Sequence, residues 1–165
     1  MNRRAFLAAM SALAAGTLPQ VDRAFAAPAQ ATPANKVIKG EGKEIYVSLA
    51  RQRLWSYLDG NEVTTFLISS GEEKRGTKTG NFRIESKYPE AWSDVWQLRM
   101  PYWMGIYYVG RVENGIHAMP LRKNGRLVRW PVGYPASFGC VVANTQEAAE
   151  LYRWATLGTP VYIRW

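Results

Sequence analysis

The sequence predicts a mostly β domain, a sandwich or barrel, with one main α-helix directly after its only cysteine. Three observations predict it. From residue 44 onward, short β-branched and aromatic segments alternate with turn signals. Seven Trp and nine Tyr raise the content of strand-favouring residues. The segment after Cys140 carries a helix N-cap signal and a 3.6-residue apolar period.

The elements follow in order. Residues 1–26 read as an export signal. Arg3-Arg4 form a positive n-region, Ala5–Leu18 is mildly apolar, and Ala24-Phe25-Ala26 is an A-x-A site with cleavage expected after Ala26. The apolar run is too short for a stable membrane span. Arg3-Arg4-Ala5-Phe6-Leu7 also resembles a twin-arginine signal, with ordinary export as the alternative. No cysteine follows the signal, so no lipid anchor is expected. Residues 27–43 open with small, polar and Pro residues and read as a flexible linker. Residues 44–165 are long enough for one domain with its own core.

Within that domain, Ile45–Leu49 alternates as a strand. Leu54–Leu58 and Val63–Ser69 flank Asp59-Gly60-Asn61, which predicts a hairpin. Gly71 to Gly80 reads as a polar loop, and Asn81–Ser86 resumes a strand. Leu98–Tyr102 and Ile106–Val109 are two further strands, broken near Pro101 and Gly105. Asn144 is an N-cap that Glu147 can complete as a capping box. Ala148, Leu151, Tyr152 and Ala155 form one apolar stripe, Gly158 is placed to end the helix, and Val161–Ile163 closes as a strand.

The formal net charge is +8, of which the expected signal carries about +2. A basic exported protein suits an anionic envelope surface rich in carboxylate and phosphate. The basic residues are scattered and no nucleic-acid motif is present, so nucleic acid is not the expected partner.

Cys140 and His117 are the only cysteine and the only histidine. In an oxidising compartment a lone thiol makes no intramolecular disulfide and invites mispairing, so its retention suggests that reactivity is wanted. The plain alternatives are a small buried hydrophobe and a structural imidazole. As a nucleophile, Cys140 needs a base nearby, and His117 is the only imidazole available as general base and acid. Gly139 allows close approach, and backbone N–H groups around Gly139 and Cys140 could stabilise an oxyanion. Ser137 could bond a substrate amide or form the turn.

Ile116-His117-Ala118 followed by Ser137-Phe138-Gly139-Cys140-Val141 resembles the L,D-transpeptidase catalytic domain, or YkuD, family. Ser69-Ser70-Gly71 through Thr77-Lys78-Thr79-Gly80-Asn81-Phe82, Glu147-Ala148 with Leu151-Tyr152, and Gly158-Thr159-Pro160-Val161 extend the resemblance over about residues 44–165. Three positions depart from the family pattern. Phe138 replaces a histidine, Lys78 a proline read as harmless loop variation, and Val142 an arginine. Arg122, Lys123, Arg126 and Arg129, between His117 and Cys140, are candidates to replace that arginine in substrate binding.

The resemblance implies a YkuD-like β-sandwich or barrel of mixed sheets. It implies a peptidoglycan enzyme in the bacterial cell envelope, in the periplasm. Cys140 would attack the carbonyl between the third residue of a stem tetrapeptide and its terminal D-Ala. D-Ala would leave, protonated by His117, and an amine on a neighbouring stem would accept the acyl group as a 3→3 cross-link. A carbapenem would acylate Cys140. Stem peptides are the implied partners, and no cofactor or metal is implied; one His and one Cys do not make a zinc site. Hydrolysis of the same acyl-enzyme by water would give an L,D-carboxypeptidase, and attack by a protein amine would attach a protein to the wall. A sortase-like order of His before Cys lacks the Thr-x-x-Thr-Cys strand here. A non-catalytic peptidoglycan-binding module of the same fold is the reading from a different class, and Val142 favours it.

Overall fold

The computed structural model describes residues 42–165; the expected export signal and most of the expected linker lie outside the described residues. Ten strands and one α-helix occur among the described residues. In chain order they are β1 (Lys43–Ser48), β2 (Arg53–Leu58), β3 (Asn61–Leu67), β4 (Gly80–Arg83), β5 (Ser86–Ser93), β6 (Leu98–Val109), β7 (Val112–Ala118), β8 (Leu121–Arg122), β9 (Val141–Ala143), α1 (Thr145–Trp154) and β10 (Pro160–Arg164).

Two mixed sheets result. One has the order β3-β2-β1-β10-β4, the other β5-β6-β7-β9 with β8 paired to β6. The pairs β1–β10 and β7–β9 are parallel and the remaining pairs are antiparallel. The expected hairpin forms between β2 and β3, and both turn residues, Asp59 and Gly60, have positive φ of 50° and 79°. That is the primed turn whose twist matches its strands.

Ile45, Val47, Leu54, Val161 and Ile163 of the first sheet share one core with Met104, Ile106, Ile116 and Val141 of the second. Each aliphatic side chain buried there contributes about 1.5–3 kcal/mol. Helix α1 packs on β6, β7 and β9; of the expected stripe, Ala148 and Leu151 are buried, Tyr152 is half-buried, and Ala155 is buried just past the helix end. Lys87 Nζ donates to the carbonyls of Tyr152 and Ala155 at 2.7 and 2.6 Å, and Lys43 Nζ to that of Trp154 at 2.6 Å. Two ammonium groups thus satisfy carbonyls that the helix leaves unpaired at its negative end.

The expectations differ from the structure in several places, and strands β7, β8 and β9 were not expected. Pro89 hides β5 from a strand reading, yet β5 runs as an edge strand, where proline is tolerated. Leu98–Val109 is one strand, not two. Pro101 falls between the stretches of β6 paired with β8 and with β7, where one edge of the strand has no ladder partner to lose. The capping box is not made. Asn144 makes no side-chain cap bond, and Glu147 Oε2 is buried without a hydrogen-bond partner among the described residues. The helix also ends at Trp154, before Gly158, because the chain turns extended at Ala155.

Candidate active site

Two neighbouring parallel strands bring the sole imidazole and the sole thiol together. In the β7–β9 ladder, Ile116 faces Val141 and His117 faces Val142, so Cys140 stands at the entry to β9 beside the centre of β7. His117 and Cys140 line the same pocket, with Asn114, Glu113, Trp96, Trp130 and Phe138 among its other walls.

The loop bearing Cys140 is held from behind by the segment that follows β3. Ser70 accepts the N–H groups of Ala136 and Ser137, both at 2.9 Å, and Glu72 N–H donates to Ser137 O at 3.0 Å. The buried Gln52 side chain anchors that segment through Ser70, donating to Ser70 Oγ at 2.7 Å and accepting from Ser70 N–H at 2.9 Å. Gly139 has a φ of +116°, and a Cβ there would stand 2.7 Å from Asn114 Oδ1. The expected close approach is therefore real.

Two hydroxyls grip the Gly139 carbonyl. Thr77 Oγ1 donates to it at 2.9 Å and Tyr107 Oη at 3.2 Å. A trans peptide points its N–H opposite to its C=O. The clamp therefore turns the Cys140 N–H away from Thr77 and Tyr107. Burial pushes the Tyr107 hydroxyl up to about 12, so it remains a donor. Lys78 N–H donates to Tyr107 Oη at 3.0 Å. A proline has no N–H to give, so Lys78 is more than loop variation.

Ser137 is buried and stitches the loop. Its Oγ donates to Cys140 O at 2.5 Å and accepts from Gly139 N–H at 3.3 Å. Of the two roles open to Ser137, loop support is the one its bonds serve. The Gly139 N–H is thereby occupied, which leaves the Cys140 N–H as the other donor of that pair.

His117 is fully buried, and its Nδ1 lies 2.6 Å from the Ala118 carbonyl. A carbonyl only accepts, so Nδ1 carries the proton and Nε2 keeps its lone pair. Burial pushes the imidazole down to about 4, opposed by that backbone bond. Trp103 stacks on the ring at 5.6 Å and 24°, and its Nε1 donates to Glu113 Oε2 at 3.3 Å. Cys140 is only partly enclosed and opens on the pocket, yet loss of solvent around its sulfur pushes the thiol up to about 11. The Gly115 N–H pulls the other way and the Glu113 charge adds to the rise. The Sγ–H points at Asn114 Oδ1, 3.7 Å away. The resting pair is a neutral thiol with a neutral imidazole.

Phe138 lies between Trp96, at 4.3 Å, and Trp130, at 5.3 Å, with the Arg75 guanidinium 4.2 Å above its ring. Arg122, Lys123, Arg126 and Arg129 are exposed, and none of them lines the pocket. Val142 is fully buried and exchanges backbone bonds with Ser69, so an apolar residue suits its position. Arg75 is the cation the fold brings beside the cysteine loop. Sequence reasoning missed Arg75, Trp103, Asn114 and the roles of Thr77 and Tyr107. Only Thr77 carried a signal, as part of the motif from Thr77 to Phe82.

Residues 42–163 match the L,D-transpeptidase catalytic domain (YkuD), and the chain belongs to that family. Solved structures share the fold. An L,D-transpeptidase from Mycobacterium smegmatis superposes with a TM-score of 0.62 at 18% identity, over 75% of this chain and 59% of that one. One from Stackebrandtia nassauensis gives 0.61 at 24% identity, over 79% and 60%. An L,D-transpeptidase in complex with imipenem gives 0.63 at 20%, over 75% and 59%. The chain thus spans about three fifths of the length of these structures. No curated protein matches its sequence.

Proposed function

We propose that this protein is a peptidoglycan L,D-transpeptidase that works through a cysteine acyl-enzyme in the bacterial envelope. The observation that carries the reading is the pairing in one pocket of a thiol with an imidazole whose free nitrogen is Nε2. His117 Nε2 takes the Sγ proton as Cys140 attacks the amide carbonyl before the terminal D-Ala of a stem tetrapeptide. The Cys140 N–H stabilises the oxyanion. The imidazolium gives its proton to the leaving amine, the C–N bond breaks, and D-Ala departs from a thioester. An amine of a second stem then attacks the thioester. Nε2 accepts the amine proton and returns it to sulfur, leaving a 3→3 cross-link. A neutral resting pair suits this sequence, because the thiolate forms with the attack and stays protected from oxidation between turnovers.

The test is mass spectrometry of the purified protein incubated with disaccharide-tetrapeptide muropeptides, beside Cys140→Ala and His117→Ala. Dimers that have lost one D-Ala are expected from the native protein. None is expected from Cys140→Ala, and a loss of about 10²–10⁴-fold in rate from His117→Ala. Tripeptide monomers alone would make the protein an L,D-carboxypeptidase. Absence of any product would favour a binding module.

A further inference from the structure

The pocket over Cys140 is small, about 40 Å³, and room for one water takes ~10–15 Å³. It holds the reacting amide and little else. The remainder of any large substrate must lie outside it. Next to it runs a wider groove of about 440 Å³, and Val112 and Glu113 line both. That volume is typical of small-molecule sites, roughly 300–1,000 Å³.

The walls of the groove have a definite character. Trp92 and Tyr88 stand 42% and 52% exposed on β5, and Trp103 forms its floor. The exposed Trp92 ring carries a hydrogen bond at its indole nitrogen. Its Nε1 donates to Asp94 Oδ1 at 2.7 Å, and Gln97 Nε2 donates to the Asp94 carbonyl at 2.9 Å. A ring held in one orientation by such a bond loses less entropy when a ligand stacks on it than an untethered one. Asp94, Glu113 and Arg111 add both acceptors and donors at the sides. Charges of both signs around flat apolar faces suit a neutral ligand with C–H faces and a rim of hydroxyl and amide groups. An extended peptide is the poorer fit. It would dock by adding to edge strand β5, and Pro89 removes a backbone donor from that strand.

We propose that this groove binds a β-1,4-linked N-acetylhexosamine unit of the substrate glycan, stacked on Trp92 and Tyr88. The proposal rests on the transpeptidase reading for its substrate. It adds that the enzyme recognises the sugar beside the stem it cuts. Trp103 joins the two regions, since it floors the groove and stacks on His117.

Two measurements on the full chain test it. In the first, the Cys140→Ala protein is titrated with a β-1,4-linked N-acetylglucosamine tetramer while the indole N–H of Trp103, in the groove floor, is followed by NMR. Saturable shifts with a Kd below about 1 mM are expected. They should vanish in Trp92→Ala and persist in Trp92→Tyr, which keeps a ring. In the second, the native protein is given the disaccharide-tetrapeptide and the bare tetrapeptide. A KM about tenfold lower for the disaccharide form is expected, and Trp92→Ala should erase the difference. No saturable shift up to about 10 mM sugar overturns the proposal, as does saturation by the bare tetrapeptide alone. Equal KM values with active enzyme also overturn it and leave the transpeptidase intact. Sugar binding by a protein that turns over neither substrate supports the groove and sinks the transpeptidase.

Discussion

His117 is held neutral by its surroundings, and that has a consequence for stability. Its folded value is about 4 against 6.5 for a free imidazole. Between those values the unfolded chain binds a proton that the folded chain refuses. Stability attributable to this residue is therefore complete above pH 6.5 and is lost as pH falls towards 4, by about 3 kcal/mol. His117→Gln should remove that slope. Denaturant unfolding of both proteins from pH 7 to 4 is the check, and parallel curves would refute a buried neutral imidazole. Cys140 acts in the opposite direction. With its thiol raised from 9.0 to about 11, its contribution is lost as pH climbs from 9 towards 11. The thiol nevertheless opens on a pocket, so a small reactive electrophile can reach it. Incubation with imipenem should add the mass of one drug molecule to the native protein and none to Cys140→Ala. An unchanged intact mass in both would count against an activatable thiol. The identity of these two residues was readable from the sequence, because each is the only one of its kind. The residues that tune them, Trp103, Asn114 and the Ala118 carbonyl, were not. They act by contact and carry no motif.

At the scale of elements, the loop after β3 and strand β6 jointly set the peptide that precedes the cysteine. Thr77→Val and Tyr107→Phe each remove one hydroxyl from the Gly139 carbonyl. Each should lower kcat about tenfold, with the double variant worse than either, since the carbonyl is then buried without a donor. Rates on muropeptide, read beside thermal melts, separate a misdirected peptide from a weakened fold. A double variant with native kcat would show that the clamp does not aim the Cys140 N–H. Elements with strong local signals were legible: β1, the β2–β3 hairpin, and the apolar stripe of α1. Strand β7 was not: Asn114-Gly115 falls in its middle, and such a pair locally favours a turn. In the folded chain Gly115 is there for space, as a Cβ would meet the Met104 carbonyl at 2.5 Å. Asn114 is there to face the thiol. A local turn signal was overridden by the packing of the site.

Over the whole molecule, the last strand closes the fold. Strand β10 lies between β1 and β4 and buries Val161 and Ile163 completely. Deleting residues 160–165 should abolish the cooperative thermal transition, since it splits the first sheet and opens its core. A truncated chain that still melts cooperatively by circular dichroism would contradict this. The alternation that makes strands, the helical stripe, and the stock of reactive groups (one thiol, one imidazole and a glycine before the thiol) are written in the chain itself. Which of those groups meet follows from the folded arrangement alone. Thr77, Tyr107 and Gly139 are separated by 30 or more residues yet share one carbonyl. Arg75, not the cations between His117 and Cys140, stands over Phe138. Such meetings depend on two parallel ladders between distant strands. Local propensity favours a strand without naming its partner, so pairing is settled only when the whole core is buried at once.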